Sequence, residues 1–475
     1  MDAASVRSRR AGRSHLTDAT NDGPPSEMKA DLETITSLAK RRGFVFPSAE
    51  IYGGFAAAYD YGPLGVEMRR NIRDRWWRSM VQERDDVVGL EASIITNPEV
   101  WKASGHVAEF TDPLVECTQC QGRFRADHVE NNTCATCGAV GKFTEPRRFN
   151  MMLSTIVGPV ADESARAFMR PETAQGMFVN FDNVQTTMRK RLPFGIAQIG
   201  KSFRNEITVK QFIFRTREFE QMEMEYFCYP DSSLDVHTYW KKERLRWYYS
   251  LGVRPQHLRL RDHTPDELSH YSKATSDVEV HYPWGWAEVE GIAHRGAYDL
   301  TQHSTFSGKK LTYFDPDTNE HIVPHVVEPA AGVDRIMLML LLEAYDEEQL
   351  EGGDSRVVLR LAPGIAPVQV AVLPLSRKDT LDPTSRRVWD VLRPYFRTQF
   401  DDAQSIGRRY RRQDEIGTPL CVTVDFDTLD DEAVTIRERD SMQQTRVPIT
   451  GLVAAPHERL AALEPRVPSH DEITL

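Results

Sequence analysis

Residues 201–227, KSFRNEITVKQFIFRTREFEQMEMEYF, restrict the possible folds of this chain more than any other stretch. The pattern predicts a strand, a loop and a second strand. Arg204 and Glu206 come at the end of the first strand, and Arg215 and Arg217 lie in the loop. The loop therefore brings two arginines close to the end of a strand that itself carries an arginine and a carboxylate.

The second strand alternates between apolar and polar side chains. Strand side chains alternate between two faces, so one face carries Met222, Met224 and Tyr226 and the other carries Gln221, Glu223 and Glu225. The apolar face can pack on a core, and the acidic face must meet water, cations or a ligand. Arginines at the mouth of a hairpin and carboxylates along one face suit a substrate that is both a polyphosphate and an ammonium, such as ATP with an amino acid. The alternative is a solvated surface hairpin with an amphipathic strand.

The length and composition indicate an ordinary globular protein of about two or three domains. The chain has 475 residues, 27% of them charged, and no apolar run long enough to span a bilayer. Its net charge of −11 argues against a surface that coats nucleic acid throughout, while a local basic patch stays compatible with it. Residues 1–27 are polar and lack the apolar stretch of a secretory signal, so we expect a disordered tail, with a transit peptide as the alternative. We therefore expect a cytoplasmic protein without a membrane segment.

Four of the six cysteines form two close pairs, Cys117 with Cys120 and Cys134 with Cys137, separated by thirteen residues. Two C-x2-C turns at this spacing can supply four thiolates to one tetrahedral Zn²⁺. Two disulfides or four reduced thiols are the alternatives. In a chain without a secretory signal we expect a reducing compartment, which disfavours disulfides. We therefore predict a structural zinc site, and we predict that the other two cysteines are core residues.

The N-terminal half contains several periodic segments. The spacing of apolar residues predicts helices over 31–42 and 65–83, and a strand is predicted over 87–96, ending before Pro98. The cysteine-rich section, 112–147, is interpreted as an insertion with its own metal core.

Two later segments carry more charge. Residues 232–275 are charged and rich in Trp and Tyr, and we predict a largely helical second insertion there. The run AEVEGIAH, 287–294, is predicted to be a strand with Glu288 and Glu290 on the same face.

The C-terminal third begins with an almost entirely apolar segment. The apolar pattern of residues 332–346 predicts a buried helix. Its first turn holds Asp334 and Arg335, and a helix N-terminus favours anions. From about residue 366, short β runs alternate with helical runs, which indicates a compact α/β domain.

Three separate segments place an arginine near a glutamate. The pairs are Arg170 with Glu172, Arg204 with Glu206, and Glu328 with Arg335 seven residues later. A phosphate tail needs cationic donors that can bind two oxygens, and an α-ammonium group needs carboxylates. Any single pair is usually a surface salt bridge. Three pairs at the ends of strands and helices, in a sequence without a P-loop or a GxGxxG motif, favour a shared site.

On these residues the sequence resembles the class II aminoacyl-tRNA synthetases, and specifically the dimeric glycyl-tRNA synthetase family. The three class II signatures occur in order: the helix and strand before Pro98, residues 203–225, and the helix start at 332–335. The segments similar to the glycine enzymes are YDYGPLG (59–65), WKASGH (101–106), RFRAD (123–127), RPETAQG (170–176), KSFRNEI (201–207), FRTREFEQMEMEYF (214–227) and IGRRYRRQDEIGTP (406–419). The resemblance covers about residues 30–455.

The resemblance implies an α/β (α+β) fold. A class II catalytic domain at 28–362 would contain an antiparallel sheet flanked by helices. Two insertions would interrupt it, a zinc-ribbon-like one at 112–147 and a helical one at 232–275. A C-terminal α/β anticodon-binding domain would follow at 363–475. The first signature forms the subunit interface in this class, so the resemblance also implies a homodimer.

The resemblance further implies roles for individual residues around ATP. Arg204 is expected to hold the α-phosphate and the glycine carboxylate, and Arg335 the γ-phosphate, which makes these two the expected catalytic residues. Glu206 would place the adenine amino group, Phe219 would stack on adenine, and Glu288 would help to hold Mg²⁺. The expected ATP-binding set is Arg204, Asn205, Glu206, Phe214, Arg215, Thr216, Arg217, Glu218, Phe219, Glu288, Val289, Gly332, Val333, Asp334 and Arg335.

The same resemblance implies a glycine subsite. Glu172, Glu223 and Glu328 are expected to surround the ammonium group, and Arg125, between the two cysteine pairs, is expected to reach the substrate. The expected set is Arg125, Glu172, Phe219, Glu220, Gln221, Met222, Glu223, Glu328, Pro329, Ala330, Ala331 and Gly332, with Cys117, Cys120, Cys134 and Cys137 as the metal ligands.

Two positions depart from the family pattern. Ala330 stands where the family has a serine, which removes a hydroxyl near the amino acid. The segment ITVKQF, 207–212, stands where the family has Pro-Gly, and this change is expected to alter how the loop meets the acceptor end of the tRNA.

The implied reaction has two steps. The glycine carboxylate attacks the α-phosphorus of ATP to give glycyl-adenylate and pyrophosphate, and a 3′-terminal ribose hydroxyl of tRNA(Gly) then takes the glycyl group. The residues indicate positioning and charge stabilisation rather than a general base. A pocket without room for a β-carbon rejects larger amino acids by overpacking, so no editing domain is expected.

The densest basic cluster lies around Tyr410 and contains Arg408, Arg409, Arg411 and Arg412. For the individual arginines we favour a structural role at a turn and helix start. For the C-terminal domain as a whole we expect RNA binding.

Two other functions fit parts of the sequence. A non-catalytic relative would bind nucleic acid but would be expected to lose Arg204, Glu206 or Arg335, and all three are present. An acyl-adenylate ligase that charges a carrier protein would not require the C-terminal domain.

Overall fold

The computed structural model describes residues 28–159, 165–207, 211–269, 272–350 and 353–475. The predicted tail 1–27 and the centre of the 207–212 loop lie outside these residues. None of the helices in the described part of the chain is both long and apolar enough to cross a bilayer.

The described residues form a mixed α/β structure. The helices are α1 Leu32–Arg42, α2 Pro63–Trp77, α3 Pro98–Ala103, α4 His106–Glu109, α5 Ala174–Val179, α6 Phe181–Met188, α7 Ser233–Ser250, α8 Tyr298–Ser307, α9 Val333–Ala344, α10 Asp382–Leu392, α11 Ile406–Ile416, α12 Thr428–Asp431 and α13 Ala454–Leu463. The strands are β1 Val45–Pro47, β2 Tyr59–Tyr61, β3 Val87–Gly89, β4 Ile95–Thr96, β5 Thr111–Glu116, β6 Arg123–Arg125, β7 Arg147–Asn150, β8 Leu153–Ile156, β9 Arg166–Met169, β10 Phe194–Phe203, β11 Glu218–Cys228, β12 Leu258–Asp262, β13 Ala274–Tyr282, β14 Gly285–Gly296, β15 Tyr313–Asp315, β16 Glu320–Ile322, β17 His325–Gly332, β18 Tyr345–Gln349, β19 Ser355–Leu359, β20 Val370–Pro374, β21 Thr398–Phe400, β22 Leu420–Val424, β23 Ala433–Glu438 and β24 Gln444–Pro448.

A seven-stranded sheet organises the larger part of the molecule. Its strand order is β12-β13-β14-β17-β11-β10-β3, and all neighbours are antiparallel except β10 and β3. The hairpin predicted at 201–227 is the open end of the β10–β11 pair, which runs in continuous register from Phe194 opposite Phe227 to Phe203 opposite Glu218. Because β11 has a partner strand on each side, the surface-hairpin alternative is wrong.

The alternating side chains of β11 face two different layers. Met222 and Met224 are fully buried in the main core, to which helices α2, α7 and α9 contribute. Phe227 lies on the opposite face and packs against Phe178 of α5. Glu223 and Glu225 share this second face and are 2% and 0% exposed. The acidic face is therefore enclosed by protein rather than open to water.

The C-terminal residues form a second sheet with its own core. Its order is β21-β20-β22-β23-β24, with β20 parallel to β21 and β22 and the remaining pairs antiparallel. Helices α10 and α11 contact β20. The predicted compact α/β domain after about residue 366 is confirmed.

Two predictions in the N-terminal half need correction. The helix predicted over 65–83 is α2 followed by a π-helical segment, 78–82. The single strand predicted over 87–96 is two strands, because β3 belongs to the large sheet and β4 to a small sheet with β8 and β9. The chain leaves the large sheet at Ala92, whose N–H donates to the Gln198 side chain and whose carbonyl accepts from Arg170 at 2.8 Å.

The helical prediction for 232–275 is correct only for its first part. Helix α7 ends at Ser250, and Leu258–Asp262 is the edge strand of the large sheet. Helix α7 also buries Trp240 and Tyr248 in the main core. The segment therefore completes the large sheet rather than standing apart from it.

Glu288 and Glu290 do not share a face. The β13–β14 pairing shifts register at this point, so that Val278 lies opposite Glu290 and Glu279 opposite Glu288, with Val289 as the extra residue. Glu290 is fully buried and accepts from Arg244 Nε at 2.6 Å. A bulge of this kind breaks the period of two from which the shared face was predicted.

Candidate active site

Arg204 follows the last residue of β10 and is held at the centre of the predicted site. Its N–H donates to the Arg217 carbonyl at 2.9 Å, and its Nε donates to the Pro171 carbonyl at 3.1 Å. The guanidinium lies 5.2 Å from the ring centroid of Phe219 and 5.5 Å from that of Phe110. Two aromatic rings and two backbone contacts therefore fix a permanent cation at the mouth of the β10–β11 hairpin.

The other residues of the hairpin loop surround this cation. Arg217 donates to the Ala56 carbonyl at 3.1 Å and to the Glu206 carbonyl at 3.3 Å. Arg215 Nη1 lies 4.0 Å from Glu206 Oε2. The arginines predicted to bind ATP are thus brought together, and most of their contacts are to backbone oxygens that a phosphate could replace.

Arg335 reaches the same cleft from the first turn of α9. Its Nε donates to the Phe214 carbonyl at 3.2 Å, and its guanidinium lies 4.6 Å from the Phe214 ring centroid. Its Nη1 lies 3.3 Å from Glu288 Oε1. Because the helix N-terminus carries partial positive charge, this end of the cleft is suited to an anion.

Several predicted site residues point away from the cleft. Asp334 accepts from the Glu220 N–H at 2.9 Å and pairs with Arg69 at 3.2 Å, and Glu220 pairs with Arg69 and Arg73 at 3.0 Å each. The apolar members of this group lie in the main core, where only their backbone can contribute to binding; they are Met222, Val289, Ala331 and Val333. Strand and helix periodicity sends neighbouring residues to opposite faces, so a continuous run cannot line a site with all its side chains.

The three glutamates predicted to bind the ammonium group lie close to one another. Glu172, Glu223 and Glu328 are 9%, 2% and 7% exposed and come from a loop before α5, from β11 and from β17. Glu223 accepts from the Thr173 N–H at 2.8 Å and from Gln221 Nε2 at 2.6 Å. These contacts hold the carboxylate in one orientation.

The three carboxyl groups differ in their preference for a proton. Burial and the neighbouring carboxylates of Glu328 and Glu172 raise the pKa of Glu223 to about 8. Burial also raises the pKa of Glu328, although Arg295 Nη1 donates to it at 2.7 Å. Glu172 differs, because His106 and Arg295 overcome the effect of burial and hold its pKa well below the ordinary value. Beside them, burial raises the pKa of the fully buried Glu225 well above the ordinary range.

Two residues of this site were missed by sequence reasoning. His106 Nε2 lies 3.2 Å from Glu172 Oε2, and His106 Nδ1 lies 2.8 Å from Ser104 Oγ. Arg295 pairs with Asp299 at 2.8 Å as well as with Glu328. His106 ends the WKASGH segment and Arg295 follows the AEVEGIAH strand, so both stood next to segments already singled out. The available signals were the position of His106 within WKASGH and that of Arg295 directly after the predicted strand 287–294.

The cysteine-rich module is hydrogen-bonded to the segment that carries Arg204. Arg125 is paired with Asp112 at 3.1 Å and with Asp127 at 2.8 Å. The strand β7 leads to Met151, whose carbonyl accepts from the Asn205 N–H at 2.8 Å. The module therefore connects through backbone to the residue next to Arg204.

The four paired cysteines meet as predicted. Their sulfur atoms all lie within 4.8 Å of one another, with Cys117 Sγ 3.7 Å from Cys137 Sγ and Cys120 Sγ 3.6 Å from Cys134 Sγ. A tetrahedral zinc with bonds of about 2.3 Å requires S···S separations of about 3.8 Å. The donor set therefore fits one Zn²⁺. The remaining cysteines, Cys228 and Cys421, are 0% and 1% exposed, as predicted for core residues.

Two arginines of the basic cluster have structural partners. Arg409 is 1% exposed and donates to the carbonyls of Asp402 and Gln404 at 2.6 Å each. Arg412 binds both carboxylate oxygens of Asp401. The preference for a structural role is confirmed for these two side chains.

Comparisons with known proteins agree with this fold. The model of the class II tRNA synthetase core domain (G, H, P, S and T) matches residues 159–345, and that of the anticodon binding domain matches 369–458. The chain is 54% identical over 453 residues to the glycine–tRNA ligase of Thermobifida fusca (strain YX), covering 90% of this chain and 98% of that one. It is 55% identical over 444 residues to the glycine–tRNA ligase of Streptomyces coelicolor, covering 88% and 96%.

A solved structure is similar in fold at much lower identity. The prolyl-tRNA synthetase from Cryptosporidium parvum, complexed with L-proline and AMP, has a TM-score of 0.63 at 15% identity, over 93% of this chain and 81% of that chain. The sheet and the match to the class II core domain identify the chain as a class II aminoacyl-tRNA synthetase. Within that class, the chain belongs to the glycine–tRNA ligase family.

Proposed function

We propose that this chain activates glycine with ATP and transfers it to the 3′ end of tRNA(Gly), with Glu172, Glu223 and Glu328 binding the glycine ammonium. The observation that carries the proposal is the excess of carboxyl groups in this buried cluster. Arg295 is already shared between Asp299 and Glu328. An ammonium group supplies the positive charge that this cluster needs.

The arginines of the cleft bind the other end of the reaction. Arg204 is placed to hold the α-phosphate and the glycine carboxylate, so that the carboxylate is aligned with the phosphorus that it attacks. Arg335 holds the γ-phosphate at the N-terminus of α9. These permanent cations spread the charge that develops during adenylate formation, and no side chain has to transfer a proton.

The substrate subsite favours the smallest amino acid. Glu223 accepts a hydrogen bond from Thr173, and the residue opposite it on β17 is Ala330. The β-carbon of a larger amino acid substrate would therefore have to displace ordered atoms. Overpacking of a closed site typically costs about 1–3 kcal/mol. Selection by exclusion makes a separate editing site unnecessary.

Two metal ions belong to the proposal. Mg²⁺ would arrive with ATP and be held in part by Glu288, whose side chain is 47% exposed beside Arg335, and it would neutralise phosphate charge. A structural Zn²⁺ would be held by the four paired cysteines. Within this chain, the module that zinc would fold supports Arg125 and, through Met151, the backbone of Asn205.

The RNA-binding and subunit contacts are also proposals. The domain at 363–475 would bind the tRNA anticodon, and the chain would act in the cytoplasm as a homodimer. Exposed apolar side chains on the small sheet and on α5 support a subunit contact, namely Ile95 at 50%, Ile156 at 45% and Val179 at 38% exposure. Light scattering should then give twice the chain mass of 54.2 kDa.

The function is tested by glycine-dependent ATP–pyrophosphate exchange followed by charging of tRNA(Gly). Both activities are expected, with alanine and serine inactive in exchange. Exchange without tRNA charging would favour transfer to a carrier protein, and absence of both would favour a non-catalytic RNA-binding protein.

The zinc site has its own test. Elemental analysis should find one zinc per chain, and replacing Cys117 and Cys134 by serine should remove it. Cys228→Ser is the matched control, because this buried thiol is remote from the four-sulfur cluster. Absence of zinc from the wild-type protein would contradict the proposal.

A further inference from the structure

A short loop beside the cleft exposes large apolar side chains. It connects β1 to β2, and we call residues 49–57 the aromatic loop. Ile51, Tyr52 and Phe55 are 89%, 86% and 66% exposed. Clusters of exposed apolar residues on otherwise well-packed proteins commonly mark interaction sites.

The backbone of the aromatic loop holds a defined shape. Ala49 and Ala57 have φ angles of 53° and 56°, and Gly53 and Gly54 have φ angles of 90° and 74°. The N–H of Tyr52 donates to the Ala49 carbonyl at 2.9 Å, and that of Gly54 donates to the same carbonyl at 3.1 Å. Non-glycine residues with positive φ carry strain, and such strain is concentrated at functional sites. The loop therefore presents its apolar side chains in a fixed way.

The aromatic loop is bound to the catalytic hairpin. Arg217 Nη1 donates to the Ala56 carbonyl at 3.1 Å, and the Arg217 guanidinium lies 5.8 Å from the Phe55 ring centroid. The Arg217 carbonyl accepts from the Arg204 N–H at 2.9 Å. At the base of the loop, the Tyr59 ring packs edge-on against Phe212 at 5.2 Å. Arg217 therefore connects the exposed rings to Arg204, the arginine that is placed at the α-phosphate.

We propose that Tyr52 and Phe55, with Arg217, form a stacking platform for the unpaired nucleotides at the 3′ end of the tRNA. The inference rests on the proposed function, because the 3′-terminal ribose must reach the adenylate held by Arg204. Aromatic rings next to a guanidinium are the side chains on which single-stranded bases stack. Gly53 adds no side chain at the tip, and a Cβ there would meet no atom within 4 Å, so the nucleic acid backbone can approach closely.

Two other functions of the aromatic loop would give different experimental results. A second copy of this chain would bury the loop in a subunit interface, and removal of the rings would then weaken the dimer. A lid over ATP would require the rings for adenylate formation, and their removal would then raise the KM for ATP. A platform for tRNA predicts neither effect.

The test compares three variants of the full-length protein. Tyr52→Ala/Phe55→Ala removes both rings, Tyr52→Phe/Phe55→Tyr keeps them, and Ile51→Ala removes an equally exposed side chain that has no ring. Each protein is assayed for ATP–pyrophosphate exchange, for tRNA charging and for mass in solution.

The double alanine variant should raise the KM for tRNA by about 25-fold or more, because each of the two base–aromatic stacks is worth a factor of about 5 or more. Its exchange rate, KM for ATP and dimer mass should stay unchanged, and the ring-preserving and Ile51 variants should resemble wild type. An unchanged KM for tRNA, an equal effect of Ile51→Ala, a raised KM for ATP or loss of the dimer would each overturn the inference. If wild type itself charges no tRNA, the proposed function fails first.

Discussion

The two halves of the proposed active site, the glycine half with its glutamates and the ATP half with its arginines, are built in opposite ways. The glycine half consists of carboxyl groups that are at most 9% exposed and have fixed partners. The ATP half consists of arginines such as Arg215 and Arg335, whose side chains are 27% and 25% exposed. Arg335 donates to the Phe214 carbonyl, and Arg215 lies 4.0 Å from the Glu206 carboxylate.

The difference matches the two ligands. An ammonium group is small, so a buried and preorganised cluster can surround it completely. ATP must enter and pyrophosphate must leave, so the cations that bind them have to exchange protein contacts for phosphate contacts. In the proposed function, the glycine half would therefore provide selectivity and the ATP half would provide charge stabilisation.

The largest effect should come from the ATP half. Arg204→Ala removes the cation at the reacting phosphate and should lower the rate of ATP–pyrophosphate exchange by about 1,000-fold, the upper value for loss of one transition-state donor. The thermal unfolding temperature should change little, because the side chain is only half-buried. Near-normal exchange would refute the role given to Arg204. Arg204→Lys is the control that keeps charge but loses the planar donor fork.

In the glycine half, Glu223→Gln should raise the KM for glycine by about 100-fold, because the neutral amide leaves the buried ammonium group of glycine without this charged partner. The KM for ATP should remain close to that of wild type, since Glu223 contacts Thr173 and Gln221 rather than the ATP-side arginines. Equal increases in both KM values would contradict the separation of the two halves.

The pH dependence follows from the same residue. The pKa of Glu223 is raised to about 8, so the empty site holds a proton at neutral pH. Glycine needs the carboxylate, and its affinity should therefore rise about tenfold per pH unit up to about pH 8 and then level off. Calorimetric titrations should show the rise in glycine affinity in wild type and not in Glu223→Gln.

The raised pKa of Glu223 also means that the free energy of unfolding falls as pH rises from about 4.5 towards 8, because the folded state holds a proton that the unfolded state releases. Thermal melts should show a shallower fall of stability with pH in the variant, because the raised pKa values of Glu225 and Glu328 remain.

A smaller effect is expected from His106, which acts on glycine through Glu172. His106→Leu leaves the Glu172 carboxylate without its partner at 3.2 Å and should raise the KM for glycine by about tenfold, since an unsatisfied buried group costs about 1–3 kcal/mol. His106→Gln, which can still donate, should restore most of the loss. A fall in kcat with an unchanged KM for glycine, or no rescue by glutamine, would argue for a merely structural histidine.

The smallest effect should come from Ala330→Ser. Ala330 lies directly opposite Glu223 in the β11–β17 pair, so a hydroxyl there would add one neutral hydrogen bond near the substrate. Such a bond contributes about 0.5–1.5 kcal/mol, and the KM for glycine should fall by about threefold. A loss of activity greater than tenfold would show that the site has no room for the hydroxyl.

Much of the cleft was predictable from the sequence because its residues stand at the ends of strongly patterned elements. The alternation in 214–227 predicted β11, and the apolar run 332–346 predicted α9 with Arg335 in its first turn. The spacing of the cysteine pairs predicted the four-sulfur cluster. Local periodicity and spacing are sufficient for such features, because the interactions that produce them lie within a few residues of one another.

Other features depended on contacts that no local pattern reports. The strand predicted over 87–96 divides because Gln198 and Arg170, about a hundred residues away, bind its backbone at Ala92. Glu288 and Glu290 separate because a bulge shifts the register between β13 and β14. In the first case a distant segment decides the outcome, and in the second case the pairing with the neighbouring strand of the same hairpin does.

By itself, the sequence determined the elements, the two domains of different character and the residue types that suit phosphate and ammonium. Only the tertiary structure decided that the acidic face of β11 is buried, that His106 and Arg295 join its carboxylates, and that Asp334 and Glu220 turn away from the cleft. The physical reason is that burial and pairing of charges depend on which distant segments meet. Burial and neighbouring charges then decide which carboxyl group can bind an ammonium group and which only stabilises the fold.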